Sequence, residues 1–243
     1  MLILRSLLFS LGMTLSTLVF APLSLLTFPL PLRYRYAFIT QWCRFNLWWL
    51  AITCNLRYIV EGRENIPNTP AIVLSKHQSA WETLALSLIF PTQVWLLKRE
   101  LLWVPFFGWG LAMLRPIAIN RKEGKKAMQQ LLEQGEQRLK DGLWVVIFPE
   151  GTRVAPGEKR RYAPGGAVLA RHSGRLIVPV AHNAGEFWPR RGFIKRPGTI
   201  RLVIGSPINP QGHRASEINA AVETWIENKV LEISACHSNQ LNQ

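Results

Sequence analysis

The 243-residue sequence is poor in cysteine. Its three cysteines, Cys43, Cys54 and Cys236, are odd in number and widely spaced. This arrangement offers neither a disulfide framework nor a paired set of metal ligands. We therefore expect a reducing compartment, no metal centre and no cofactor.

Acidic side chains are also scarce, since 15 Asp and Glu stand against 29 Lys and Arg, for a formal net charge of +14. Such an excess favours an anionic partner: nucleic acid, phospholipid or a phosphorylated substrate. Recognisable nucleic-acid signatures, such as zinc-knuckle spacing, are absent. Ten tryptophans favour lipid, because the indole ring concentrates where apolar and aqueous phases meet. We expect a membrane partner and no nucleic acid.

A strained nucleophile turn of the G-x-S-x-G type is absent as well. A lipid hydrolase that uses a serine nucleophile would need such a turn. The thiols are poor substitutes, because Cys43 and Cys54 fall in the membrane-proximal segment and Cys236 lies near the C-terminal end. The sequence therefore argues against a hydrolase with a covalent intermediate.

A long apolar run opens the chain, since residues 2–32 carry one charge, Arg5. The run is long enough to cross about 30 Å of hydrocarbon, so we predict a membrane segment. A cleaved signal peptide is the alternative, with Val19-Phe-Ala21 as its cleavage site. The run continues beyond Ala21 and is followed by basic residues, namely Arg33, Arg35 and Arg44. This order favours retention, with the C-terminal side in the cytoplasm.

Three prolines, Pro22, Pro29 and Pro31, limit the predicted first helix to about residues 2–21, because closely spaced prolines end or kink a helix. Such a helix either spans the bilayer or lies in one leaflet. Residues 36–56 predict a second, amphipathic helix at the membrane interface, with packing on the globular domain as the alternative. We assign residues 1–56 to membrane-anchoring helices and residues 57–243 to a globular domain.

From residue 57 onward, short apolar runs alternate with helical patterns. Strands are predicted at residues 71–75, 93–97, 116–119, 143–148, 176–181 and 200–204. Helices are predicted at residues 81–89, 123–140, 166–172 and 215–234. This alternation predicts an α/β fold with a largely parallel central sheet flanked by helices.

The sequence His77-Gln-Ser-Ala-Trp-Glu82 directly follows the first predicted strand. A histidine can take a proton from a hydroxyl, and a carboxylate on its other ring nitrogen fixes the tautomer and stabilises the imidazolium. Alternatively, Ser79-Ala-Trp-Glu82 matches a capping box, in which Glu82 reaches back to the Ser79 amide. The two interpretations compete, since a carboxylate occupied by an amide is less free to hold an imidazole.

A second candidate loop, Phe148-Pro-Glu-Gly-Thr-Arg153, also follows a predicted strand. Gly151 permits close backbone approach, and Arg153 suits bidentate binding of phosphate oxygens. A strand-ending turn with a solvated arginine is the alternative. In open α/β folds, ligands bind outside the carboxyl ends of the strands, so we expect the two loops to face one crevice.

Together with two further blocks, these loops resemble the motifs of the glycerophospholipid acyltransferase family, especially its bacterial 1-acyl-sn-glycerol-3-phosphate acyltransferases. The ordered match spans about residues 60–210. His77 to Glu82 resembles H-x4-D, and Phe148 to Arg153 matches F-P-E-G-[ST]-R in full. The other blocks are Lys98-Arg-Glu-Leu101 to Pro105-Phe-Phe-Gly108 with Ile119-Asn-Arg121, and Val178-Pro-Val180. The departure is Glu82, where most of the family has Asp; the extra methylene keeps the charge but changes the reach.

The resemblance implies transfer of a fatty acyl group from an acyl-carrier protein or coenzyme A thioester to the free hydroxyl of lysophosphatidic acid, which gives phosphatidic acid. It implies no covalent acyl-enzyme. The catalytic residues would be His77, as base, and Glu82, which orients it. The substrate-binding residues would be Lys98, Arg121, Glu150, Gly151, Thr152 and Arg153, with backbone donors near Gly151 stabilising the oxyanion.

We expect a location at the inner (cytoplasmic) membrane, with the catalytic domain on its cytoplasmic side, as the basic residues after the apolar run indicate. Two alternatives stay open: an acyltransferase for another lysolipid, of the ornithine-lipid or lysophosphatidylglycerol type, and a non-catalytic membrane-binding protein. Residues 101–109 are expected to line an acyl tunnel or to dip into the bilayer. The other interpretation of this segment is the start of an ordinary buried helix.

Overall fold

The computed structural model describes residues 1–234, except for the side chain of Arg121. The described residues form one seven-stranded sheet in the order β1-β7-β6-β2-β5-β3-β4. The strands are β1 (Leu56–Glu61), β2 (Ile72–Ser75), β3 (Gln93–Lys98), β4 (Ile117–Ile119), β5 (Trp144–Ile147), β6 (Ile177–His182) and β7 (Gly198–Ile204). The predicted α/β class with a largely parallel sheet is confirmed.

Parallel pairing joins every pair of neighbouring strands except β6 and β7, which are antiparallel. The central strand β2 lies between β5 and β6, and all four of its residues are buried. A strand covered on both faces favours the unbroken apolar run that its sequence shows. The carboxyl ends of β2, β5, β3 and β4 consequently lie along one edge of the sheet.

Helices cover both faces of this sheet. They are α1 (Leu2–Leu25), α2 (Leu32–Cys54), α3 (Trp81–Ile89), α4 (Phe107–Met113), α5 (Lys125–Lys140), α6 (Gly165–Ser173), α7 (Ala184–Phe187) and α8 (Ala215–Ile233). Single 3-10 turns occupy Arg63–Asn65, Arg99–Trp103 and Arg121–Glu123. α1, α2 and α3 share one hydrophobic cluster with the sheet, whereas α5, α6 and α8 share another.

The first helix is longer than the prolines predicted, because α1 continues through Pro22 to Leu25. A proline removes one backbone hydrogen bond, and Pro22 does so only three residues before the helix ends. Buried side chains of Ala21 and Ser24 hold this last turn against the rest of the protein. The second helix likewise begins earlier than predicted, at Leu32 rather than residue 36.

α1 packs lengthwise against the rest of the molecule. Near its start, Ser6 Oγ accepts a hydrogen bond from the Lys195 N–H at 2.9 Å. In its middle, the indole N–H of Trp42 donates to Ser16 Oγ at 3.2 Å. The opposite side of α1 exposes leucines to the surroundings. Among the described residues, α1 is the helix whose length and composition would allow it to cross a membrane.

Candidate active site

His77 follows the carboxyl end of β2 and precedes α3, so its side chain is held at the edge of the sheet. Its Nδ1 atom lies 2.8 Å from Oε1 of Glu82 in the first turn of α3. The imidazole stacks on the Phe148 ring, with centroids 3.9 Å apart and planes 11° apart. Within residues 1–234, Nε2 of His77 has no hydrogen-bond partner, and the residue lines a cavity of about 560 Å3. Such an imidazole can accept a proton at Nε2.

Glu82 combines the two roles that the sequence presented as competing. Its Oε1 atom accepts hydrogen bonds from the N–H groups of Gln78, at 3.0 Å, and Ser79, at 2.8 Å, besides contacting His77. The Ser79 hydroxyl accepts from the Trp81 N–H at 3.2 Å. The expected competition is not observed, because the same carboxylate oxygen contacts both N–H groups of the turn and the imidazole.

A second histidine lies behind this pair. His182, at the end of β6, is fully buried, and its Nε2 atom lies 4.0 Å from Oε2 of Glu82. Its Nδ1 atom accepts from the Ala184 N–H at 3.3 Å, so the ring proton resides on Nε2, which donates to the Lys76 carbonyl at 2.9 Å. Burial lowers the pKa of His182, against the opposing effect of Glu82. Sequence reasoning assigned His182 no role, although its position at a strand's carboxyl end was a usable signal.

The charge of Glu82 is supported by these neighbours. Burial alone would raise the pKa of this carboxyl, but His182, His77 and the Ser79 N–H outweigh burial and lower it. Glu82 is therefore an anion at neutral pH inside the protein. An anion beside Nδ1 stabilises the imidazolium that forms when Nε2 takes a proton.

The second loop is tied directly to the first. The His77 N–H donates to Oε2 of Glu150 at 2.7 Å, and the Val154 N–H donates to the His77 carbonyl at 2.8 Å. Gly151 adopts φ 71°, a left-handed conformation that favours glycine, and its N–H donates to the Phe148 carbonyl at 3.0 Å. That N–H is engaged within the loop, and stabilisation of the oxyanion by other backbone donors near Gly151 stays a prediction.

Glu150 departs from its expected place among substrate-binding groups. Its side chain is buried and lies 2.6 Å from Nζ of Lys76, which also contacts Glu227 of α8 at 2.7 Å. The Tyr162 hydroxyl donates to the same Glu227 oxygen at 2.8 Å. Burial raises the pKa of Glu150 to about 7, and Lys76 opposes the rise. The carboxylate therefore anchors the loop from inside and does not face the cavity.

Cationic residues are among those that line the cavity. Lys98, at the end of β3, and Arg153 line it with Gly151 and Thr152, and their binding of substrate stays a prediction. The backbone of Arg121 follows β4, but its side chain is outside the described part of the chain. Two further arginines on the same cavity, Arg190 and Arg191, were missed because they follow β6 in a loop without a recognised motif.

Most of the other lining residues are apolar, and many of them come from α1, α2 and the segment around α4. Leu101, Phe106 and Phe107 contribute to this lining. Trp103 in the same segment is 79% exposed. The interpretation of residues 101–109 as the start of a buried helix is therefore wrong, because the segment lines the cavity and also exposes apolar side chains.

Comparison with known proteins places this geometry in a family. The acyltransferase family model matches residues 57–183. The chain is 48% identical over 235 residues to the 1-acyl-sn-glycerol-3-phosphate acyltransferase of Pseudomonas aeruginosa, which covers 95% of this chain and 91% of that protein. The human 1-acyl-sn-glycerol-3-phosphate acyltransferase beta is 29% identical over 157 residues, or 64% of this chain and 56% of that one.

The fold also matches a solved structure. The crystal structure of the 1-acyl-sn-glycerophosphate acyltransferase PlsC from Thermotoga maritima aligns with a TM-score of 0.81 and 24% identity. The alignment covers 96% of each chain. With the family model matching more than half of its residues and a near full-length relative at 48% identity, this chain belongs to the acyltransferase family.

Proposed function

We propose that the protein transfers a fatty acyl group from a thioester to the free hydroxyl of 1-acyl-sn-glycerol-3-phosphate and so makes phosphatidic acid. The observation that carries the proposal is the His77–Glu82 pair, with Nδ1 and Oε1 2.8 Å apart, beside a cavity lined by both cationic and apolar residues. The name of the Pseudomonas aeruginosa relative, 1-acyl-sn-glycerol-3-phosphate acyltransferase, specifies the same acceptor.

His77 acts as the general base of this reaction. Nε2 removes the proton from the glycerol hydroxyl while the hydroxyl oxygen adds to the thioester carbonyl carbon. Glu82 stabilises the resulting imidazolium through Nδ1. The tetrahedral adduct then collapses, the carbon–sulfur bond breaks, and the imidazolium returns its proton to the departing thiolate. The products are an ester and a free thiol, and the enzyme ends as it began, without a covalent intermediate.

The cationic residues of the cavity bind the acceptor's phosphate. Lys98 and Arg153, which line the cavity, bind the phosphate, and Arg121 joins them on the strength of the motif resemblance alone. The turn at Gly151 and Thr152 lets the phosphate approach the backbone. Holding the phosphate brings the neighbouring hydroxyl to His77, and such positioning supplies a large part of a catalysed rate. The apolar residues of the cavity contact the acyl chains.

We further propose that residues 1–56 attach the protein to the inner membrane and that residues 57–243 form the catalytic domain on the cytoplasmic side. α1 contacts the rest of the protein near both of its ends, through Ser6 and through the buried Ser24. If α1 spanned the bilayer, the parts of the protein that pack along it would also have to lie in the hydrocarbon. We therefore favour an α1 that lies in one leaflet with its exposed leucines in the lipid.

A transfer assay with the purified protein tests this function. The donors are the same labelled acyl group on acyl-carrier protein and on coenzyme A, and the acceptors are lysophosphatidic acid, lysophosphatidylglycerol and a lyso-ornithine lipid. We expect phosphatidic acid to be the fastest product with at least one donor. Faster acylation of either other lysolipid, or no product from any pair, would refute the proposed acceptor.

A further inference from the structure

Four cationic residues line the cavity: Lys98 and Arg153, and also Arg190 and Arg191 from the loop between α7 and β7. The Nη1 atom of Arg190 donates to the Arg153 carbonyl at 2.8 Å. Within residues 1–234, none of the four forms an ion pair with an acidic side chain. Unpaired cations gathered at one cavity favour an anionic ligand.

The loop that carries Arg190 is anchored by a hydrogen-bonded turn and by an aromatic contact with α1. A tight turn places the Gly192 N–H 2.9 Å from the Pro189 carbonyl, with Arg191 in the left-handed region at φ 59°. Just before the turn, the Trp188 ring packs edge-on against Phe9 of α1, with centroids 5.2 Å apart. Arg190 therefore lies at the cavity on an anchored turn, and its guanidinium is held by the hydrogen bond to the Arg153 carbonyl.

The number of donors indicates what Arg190 would bind. A phosphate monoester has three terminal oxygens and carries nearly two negative charges at neutral pH. An ammonium such as Lys98 acts as a point charge, whereas a guanidinium such as Arg153 engages two oxygens with its fork. The third oxygen then needs another donor, and Arg190 is held next to Arg153. In a phosphodiester, that oxygen carries an alkyl group and cannot accept the same bonds.

We propose that Arg190 is a specificity-determining residue, which binds the third terminal oxygen of a phosphate monoester and so selects monoester over phosphodiester lysolipids. The inference rests on the proposed function, because it assigns the lysolipid headgroup to the cavity beside His77. It adds a residue outside the four sequence blocks to the headgroup site.

The test measures binding rather than turnover, so that it is separable from the test of the function. The probes are 2-deoxy-1-acyl-glycerol-3-phosphate, which lacks the attacked hydroxyl, and its phosphate monomethyl ester. Their affinities are measured by isothermal titration calorimetry in detergent. The variants are Arg190→Gln, the partial rescue Arg190→Lys, and the matched control Arg196→Gln. Arg196 lies in the same loop and bonds a backbone carbonyl, that of Glu186 at 3.2 Å, but does not line the cavity.

We expect Arg190→Gln to weaken binding of the monoester about 10- to 100-fold, because a charge-assisted hydrogen bond is lost. Binding of the methyl ester should weaken less than about twofold. Arg190→Lys should recover part of the loss, and Arg196→Gln should bind both probes like the wild type. Equal weakening of both probes by Arg190→Gln, or no weakening of either, would overturn the assignment. A wild-type protein that forms no phosphatidic acid yet shows this selectivity would refute the function alone.

Discussion

The Nδ1 atom of His77 lies 2.8 Å from Oε1 of Glu82, and the same oxygen holds the backbone N–H groups of Gln78 and Ser79. The carboxylate is completely buried, so its charge is not screened by water. The start of α3 and the orientation of the imidazole therefore depend on one atom. A glutamate is long enough to reach back from the first helical turn to both.

Glu82→Gln should lower both the rate and the stability. We expect kcat to fall by about 10²-fold or more, because a neutral amide does not stabilise an imidazolium. The same change should cost about 1–3 kcal/mol of unfolding free energy, since charge-assisted hydrogen bonds are lost. Steady-state kinetics and urea unfolding of the purified variant measure the two effects.

Ser79→Ala is the matched control, because it removes the hydroxyl that accepts from the Trp81 N–H without touching Glu82. We expect a loss of about 1 kcal/mol of stability and an almost unchanged kcat. A Glu82→Gln variant that behaved like Ser79→Ala would mean that Glu82 acts only as a cap.

Acid should destabilise the protein partly through Glu82. The folded pKa of this carboxyl lies below its ordinary value of 4.5, so its contribution to stability is present above that value and is lost as the pH falls through the folded pKa. We expect the unfolding free energy to decline below about pH 4.5 and to decline less steeply in Glu82→Gln. Urea unfolding across this range measures the slopes; identical slopes would contradict the lowered pKa.

The buried Lys76 should be among the most sensitive positions in the chain. Lys76→Met leaves Glu150 and Glu227 facing each other without their shared cation, and breaking such a buried pair costs about 3–5 kcal/mol. Thermal unfolding measures the loss. The control is Lys140→Met, whose exposed pair with Glu136 at 2.8 Å should contribute less than about 1 kcal/mol. Equal effects of the two variants would contradict the anchoring role of Lys76.

Membrane attachment should depend on the exposed side of α1. Leu11 and Leu15 are each 54% exposed and lie one helical turn apart. We expect the double variant Leu11→Glu, Leu15→Glu to reduce co-flotation with anionic liposomes at least tenfold, because carboxylates are costly in hydrocarbon. Leu231→Glu alters an exposed leucine of α8 and should leave flotation unchanged. Undiminished flotation of the double variant would contradict attachment through α1.

Most of the fold could be predicted from the sequence because its central strands are short apolar runs separated by turns. Those at β2, β3, β5 and β6 were placed within one or two residues. β1 was missed, since this edge strand carries Arg57 and Glu61 among its apolar residues. The end of α1 was misplaced because Pro22 argues against a helix locally, whereas the burial of Ala21 and Ser24, which outweighs it, is a tertiary effect.

The site was readable where a motif keeps its residues close in sequence, as for His77 and Arg153. It was not readable where contacts are remote. Lys76 and Glu227 are 151 residues apart in the sequence, so no local pattern predicted the buried cluster in which Lys76 binds both Glu150 and Glu227. His182 and Arg190 reach the site only because β6 lies beside β2 in the sheet.

The most direct measurement compares the wild type with His77→Asn for formation of labelled phosphatidic acid from lysophosphatidic acid and acyl thioester. Asparagine retains a donor for Glu82 but has no basic ring nitrogen. We expect the wild type to form phosphatidic acid and the variant to lose at least about 10³-fold in rate, with unchanged unfolding and liposome flotation. Phosphatidic acid made at the wild-type rate by His77→Asn would contradict the central claim that His77 is the base.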